Sequence, residues 1–137
     1  MKKKSRIILL ISISVIAICV ISILTIKTII ENDLQVLASA EVKNVDLSQV
    51  PDGVFRGQYS ALPVSADVEV SVQGSRIKAI KIITHNNGQG KPAEIIIDQV
   101  IEKQSLEVDV ISGATYSSKV ILKSIEDALL KASSGEQ

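Results

Sequence analysis

Residues 7–26 form a run of twenty positions without a charged side chain, and that run constrains this chain more than any other feature. It is interrupted only by Ser12, Ser14, Ser22 and Thr25, whose hydroxyls can bond back to a helical backbone in lipid. About twenty apolar residues is the length of one bilayer span. Lys2, Lys3, Lys4 and Arg6 precede the run, while Lys27, Glu31 and Asp33 follow it. The excess of positive charge at the start predicts a single-pass anchor with a cytoplasmic N-terminus and everything after about residue 30 on the outer side. Ala38-Ser39-Ala40 has the small-x-small form accepted by signal peptidase, but the apolar core is long for a signal peptide and the triplet stands well beyond its end. An uncleaved anchor is the reading adopted. Cys19 lies inside the span as an inert thiol, and with no second cysteine the outer part has no internal disulfide and must fold on its core.

The expected organisation is an anchor over residues 1–31, a polar stalk over residues 32–50, and one domain over residues 51–137. The formal net charge is zero, yet ten basic and fourteen acidic side chains remain from Asn32 onward. With no basic stripe and almost no aromatic residues, nucleic acid is excluded as a partner class. No cluster of residues with metal-ligand spacing occurs, and His85 is the single histidine.

Pro51-Asp52-Gly53 marks a turn, after which residues 54–59 read as a first strand. Val64, Ala66, Val68, Val70 and Val72 alternate with polar residues, the period of a half-buried strand, and Gln73-Gly74-Ser75 returns the chain into Ile77, Ala79, Ile80, Ile82 and Ile83. Residues 84–94 have loop composition, Pro92 suits a first helical turn, and Ala93, Ile96, Ile97, Val100 and Ile101 share a helix face ending near Gln104. Residues 108–111 are strand-like. Ile121, Ile125, Ala128 and Ala132 then mark a last amphipathic helix whose outer face carries Lys119, Lys123, Asp127 and Lys131. The pattern predicts an α+β fold: an N-terminal transmembrane helix, then a small antiparallel sheet with two packed helices.

Two loci have chemical interest. At residues 109–118, DVISGATYSS, hydroxyls crowd the start of the last helix. On one reading Thr115, Ser117 or Ser118 caps that helix. On the other, the free N–H groups of the helix start form an anion site suited to phosphate. In the second locus His85, Asn86, Asn87, Gly88, Gln89 and Gly90 form either a solvated loop or a glycine loop lying against a flat ligand.

Three segments carry a resemblance: VDLSQVPDGVFRGQYS at residues 45–60, HNNGQGKPAE at 85–94 and QSLEVDVISGATYSSKVILKSIEDAL at 104–129. On them the chain resembles the FMN-binding domain family, related to the flavin-carrying C subunit of the sodium-translocating NADH:quinone reductase and the G subunit of the Rnf complex. The resemblance implies a flavin transferase as maturation partner, which esterifies a threonine with the phosphate of FMN taken from FAD. It places covalent FMN on Thr115, within a recognition pattern matched by Asp109, Ser112, Gly113 and Ala114. It also implies that the ring rests near His85, Asn86, Asn87, Gly88 and Gly90, with adjacent Tyr116 as a stacking surface. The implied function is an outer-side membrane flavoprotein exchanging electrons with membrane or extracytoplasmic redox partners, closer to an electron carrier than to a turnover enzyme, with no catalytic residue of its own. The chain lacks the additional sequence of the larger subunits, so a stand-alone carrier is expected. Two other classes stay open: a reversible FMN-binding sensor, and a cofactor-free interaction module tethered to the membrane.

Overall fold

A computed structural model describes residues 2–135. The side chains of Lys2, Lys3 and Arg6, on which the membrane orientation rests in part, lie outside the described ones. The chain divides into two compact units, one ending at Asn32 and the other beginning at Asp33.

The first unit is helical. Helix α1 runs Lys2–Ser39, and the apolar side chains of its span are exposed throughout. By length and composition it can cross a membrane. Ser12, Ser22, Thr25 and Thr28 each donate a hydroxyl to a carbonyl three or four residues back, so these four polar groups are satisfied within the helix.

The second unit is a three-stranded antiparallel sheet, β1 (Gly53–Ala61), β2 (Val64–Val72) and β3 (Ile77–Asn86), in the order β1-β2-β3. Alternation in β2 is complete: Val64, Ala66, Val68, Val70 and Val72 are buried. The β2–β3 turn is a two-residue loop with Gly74 and Ser75 at φ 60° and 57°, closed by Gln73 N–H to the Arg76 carbonyl at 2.9 Å. Asp52 accepts the Gly74 N–H at 2.7 Å and ties this tip to the entry of β1. After β3 a 3-10 turn, Lys91–Ile95, leads into α2, Ile96–Lys103. Gln104 ends α2 in the left-handed region, and its amide clasps both backbone groups of Ile77, at 2.8 and 2.9 Å, at the start of β3.

Helix α3, Thr115–Ser134, lies across β1 and β2 and buries Ile121, Ile125, Ala128, Leu129 and Ala132 as the four-and-three spacing predicts. The α+β architecture therefore agrees with the sequence reading. Two local expectations do not. Residues 108–111 form no strand: the Val108 N–H bonds to the Leu106 carbonyl and the Ile111 N–H to the Ser118 hydroxyl, so neither enters a ladder. Within residues 32–50, expected as a polar stalk, residues 33–50 pack on the domain, with Leu37 and Val50 in its core and Val42, Val45 and Leu47 against it. The cause is visible on α3. Lys119 donates to the Ala38 and Ala40 carbonyls and Lys123 to that of Glu41, so the first half of the charged stripe read as an outer face is tied to this segment, while Asp127 pairs with Lys131.

Leu37 is fully buried, so Leu37→Ala lowers the unfolding free energy of the domain by roughly 2–5 kcal/mol, as read by urea denaturation. A segment hanging free of the domain would give no change.

Candidate functional site

Gly113 has φ 77° and the Ala114 N–H bonds to the Ile111 carbonyl at 2.9 Å, which makes residues 111–114 a β-turn with glycine where positive φ is required. Ser118 staples this turn to α3: its hydroxyl accepts the Ile111 N–H at 3.0 Å and donates to the Ala114 carbonyl at 2.9 Å. Ser118 is fully buried, so the staple is dry. Of the three hydroxyls weighed as caps, none acts as one. The N-cap is Ala114, whose side chain has no oxygen to offer, and α3 starts without a side-chain cap. Its first N–H groups are left available, and the positive end of the helix dipole is uncompensated there.

Thr115 is exposed at the first helical position, and its hydroxyl makes no hydrogen bond among the described residues. Ser112 and Gly113 are exposed beside it, while Ala114 is buried. A Cβ added at Gly113 would meet nothing within 4 Å, so the space around the turn is open. Tyr116 is 42% exposed and available as an aromatic surface. Asp109 is exposed on the approach to the turn, with no partner among the described residues.

The loop after β3 meets the first turn of α3 at Gly90. A Cβ on Gly90 would sit 1.9 Å from the Ser117 hydroxyl oxygen and 2.6 Å from its Cβ, so only glycine lets the loop backbone approach the first turn of α3. Gly88 takes φ 55°, and the Gly90 N–H closes the loop on the Asn87 carbonyl at 2.7 Å. Asn86 is exposed and donates to the Ser65 hydroxyl at 2.9 Å.

His85 departs from the solvated reading: it faces the core beside Ala66, with a side chain only 2% exposed. Its Nδ1 lies 3.1 Å from Glu94 Oε1; an ionised carboxylate only accepts, so Nδ1 carries the proton there. Nε2 is buried with no partner among the described residues. Glu94 is held below its ordinary 4.5 by hydrogen bonds from Lys91 first and His85 second, against some desolvation. Its folded value being depressed, the stability it contributes is complete above 4.5 and is lost as pH falls through the lower folded value. Melting curves of Glu94→Gln taken across that window will show a shallower acid limb than the parent.

Sequence reasoning missed Ser117 as a packing partner of the loop and Ser118 as the staple. Their signal is the pair of serines two and three residues after Thr115, which as a sequence pattern suggests caps. A larger cleft, about 570 Å³, opens by Gln58, Ser60, Ser65, Asp67 and Thr84. None of its lining residues belongs to the 109–116 segment, so this cleft and the candidate attachment segment do not coincide.

Residues 61–130 match the FMN-binding domain family. This chain belongs to that family. The matched span of the FMN-binding domain includes the end of β3, the loop at 87–90 and the turn before Thr115. The chain is 32% identical over 108 residues to the NADH:acrylate oxidoreductase of Vibrio harveyi, covering 74% of this chain and 11% of that protein. It is 24% identical over 93 residues to an uncharacterized protein of Treponema pallidum (strain Nichols), covering 66% of this chain and 26% of the other. The chain thus spans only a small part of the length of either relative. An FMN-binding domain must accommodate a phosphate, and the residues present suit one: unbonded helix N–H groups, an unpartnered hydroxyl and open space over Gly113 lie together.

Proposed function

We propose that this chain carries FMN covalently on Thr115, as a membrane-anchored flavoprotein that relays electrons between redox partners on the outer side of the membrane. The observation that supports it most is the exposed, unpartnered Thr115 hydroxyl, standing at an uncapped helix start directly after a glycine turn in an FMN-binding domain. In the attachment step the Thr115 oxygen attacks the FMN phosphorus of FAD and the anhydride bond to AMP breaks. AMP leaves, and the hydroxyl proton passes to a base on the flavin transferase. The phosphoester then lies at the positive end of α3, which favours its charge by about 0.3–1 kcal/mol when exposed.

When bound, FMN supplies the redox chemistry, and the protein supplies position and electrostatics. Ser112 and Gly113 leave the ester accessible, while Ser118 keeps the turn in register with α3. A tether suits a protein on the outer side, because a covalent bond removes the dissociation equilibrium by which a scarce ligand would be lost. The oxidoreductase name of the Vibrio harveyi relative supports a redox role. The basic residues ahead of α1 support a cytoplasmic N-terminus and an extracytoplasmic domain.

The test is to express the full chain together with a flavin transferase, denature it, and measure its mass and flavin fluorescence. The expected result is one FMN ester that stays with the chain. Flavin that separates on denaturation would instead mean reversible binding, and a colourless chain would mean an interaction module.

A further inference from the structure

Along α3, Lys119 and Leu122 follow Thr115 at four and seven residues, so the three share one helix face, with Leu122 about 10 Å along the axis from Thr115. That face opens on a cleft of about 390 Å³ between residues 39–42 and residues 106–110. Its volume falls in the range of small-molecule sites. Val42, Val108 and Val110 give it apolar walls, and Lys119 and Leu122 complete the lining on the α3 side. The walls are pinned by the domain itself: Asn44 accepts the Leu106 N–H at 3.1 Å, and Lys119 holds the Ala38 and Ala40 carbonyls.

The Lys119 ammonium in this cleft has no ion-pair partner among the described residues. Lys123, one turn on, pairs with Glu126 at 2.6 Å, but Lys119 bonds only to carbonyl oxygens. Glu41 and Glu107 also line the cleft, but both are exposed, whereas Lys119 is half-buried and therefore less screened.

We propose that the cleft between residues 39–42 and 106–110 receives the isoalloxazine ring of the flavin tethered at Thr115, with the Lys119 ammonium beside the pyrimidine edge of the ring. This rests on covalent attachment at Thr115. The ribityl chain follows the helix face from Thr115 toward Leu122, the valines cover the ring, and the inward-facing His85 has no part in its seat. Bound flavin would supply the redox chemistry, taking two electrons from a donor protein and one proton from solvent, and Lys119 would place its positive charge at the edge where the reduced ring is anionic. A cation at that edge stabilises the reduced form and raises the reduction potential.

The test uses the full chain in detergent, loaded with FMN and checked by mass, in the parent, Lys119→Gln, Lys119→Arg and Val110→Arg. The glutamine variant keeps a donor for the Ala38 and Ala40 carbonyls and loses the charge. The expected result is a reduction equilibrium at least tenfold less favourable in Lys119→Gln, a fall of about 30 mV for a two-electron couple. Lys119→Arg keeps the parental potential. Val110→Arg fills the cleft and makes the flavin fluorescence more readily quenched by iodide. A loaded Lys119→Gln protein with the parental potential overturns the proposal, as does an equal fall in Lys119→Arg or unchanged quenching in Val110→Arg. Absence of any FMN adduct on the parent overturns the attachment reading as well, so the two failures are told apart by mass.

Discussion

Thr115→Ala, produced beside an active flavin transferase, will carry no flavin after denaturation, and its mass will be that of the bare chain. Thr115→Ser will load, because the attacking group is a hydroxyl oxygen and the surrounding space is open: Thr115 is exposed and Gly113 faces nothing within 4 Å. The effect is the loss of the whole cofactor, from one per chain to none. It is separable from misfolding, because the Thr115 hydroxyl makes no internal hydrogen bond among the described residues and an exposed substitution of this kind changes stability by no more than about 0.5 kcal/mol. Far-ultraviolet circular dichroism and the urea midpoint should therefore match the unloaded parent. A flavin still bonded to Thr115→Ala would move the attachment to another residue.

The second large effect is structural. Gly57 in β1 faces α3 so closely that a Cβ would lie 2.1 Å from the Ser124 carbonyl oxygen and 2.4 Å from the Ala128 nitrogen. Both are backbone atoms in the middle of a helix and cannot rotate aside, so Gly57→Ala must push α3 off the sheet. Overpacking costs about 1–3 kcal/mol where side chains can adjust, and here the cost reaches or passes the upper end. Gly74→Ala is the contrast. Gly74 sits at φ 60° in open space, so only the left-handed conformation is penalised, at roughly 1–2 kcal/mol. Urea titration of the two variants should rank Gly57→Ala well below Gly74→Ala. The reverse order would mean that α3 does not bear on β1.

Periodicity carried most of the fold. The strict alternation from Val64 to Val72 and the spacing of Ile121, Ile125, Ala128 and Ala132 each have one low-energy solution, an apolar face toward a partner. What periodicity could not carry was the fate of residues 33–50, where Leu37, Val42 and Val50 are too scattered to form a stripe but fill the α3 surface once it exists. Residues 108–111 misled for a related reason. Alternating Val and Ile favour extended backbone, but extension becomes a strand only beside an edge with free ladder groups. Here the Ile111 N–H is taken by a serine seven residues ahead. The chain path around the candidate site was legible where it depends on residue type. Glycine at 113 answers to a positive φ, and glycine at 90 to a close approach. It was illegible where it depends on burial, and His85 is the plainest case, since only the packed structure reveals that it points inward.

The link from Ser118 to Ile111 and Ala114 joins a side chain inside α3 to backbone that precedes it, so the shape of the turn cannot exist before the helix does. On the proposed attachment, a newly made chain would therefore be a poor substrate until its last twenty or so residues have coiled, and loading should lag behind folding in any time course. The domain would thus inspect itself before accepting its pigment.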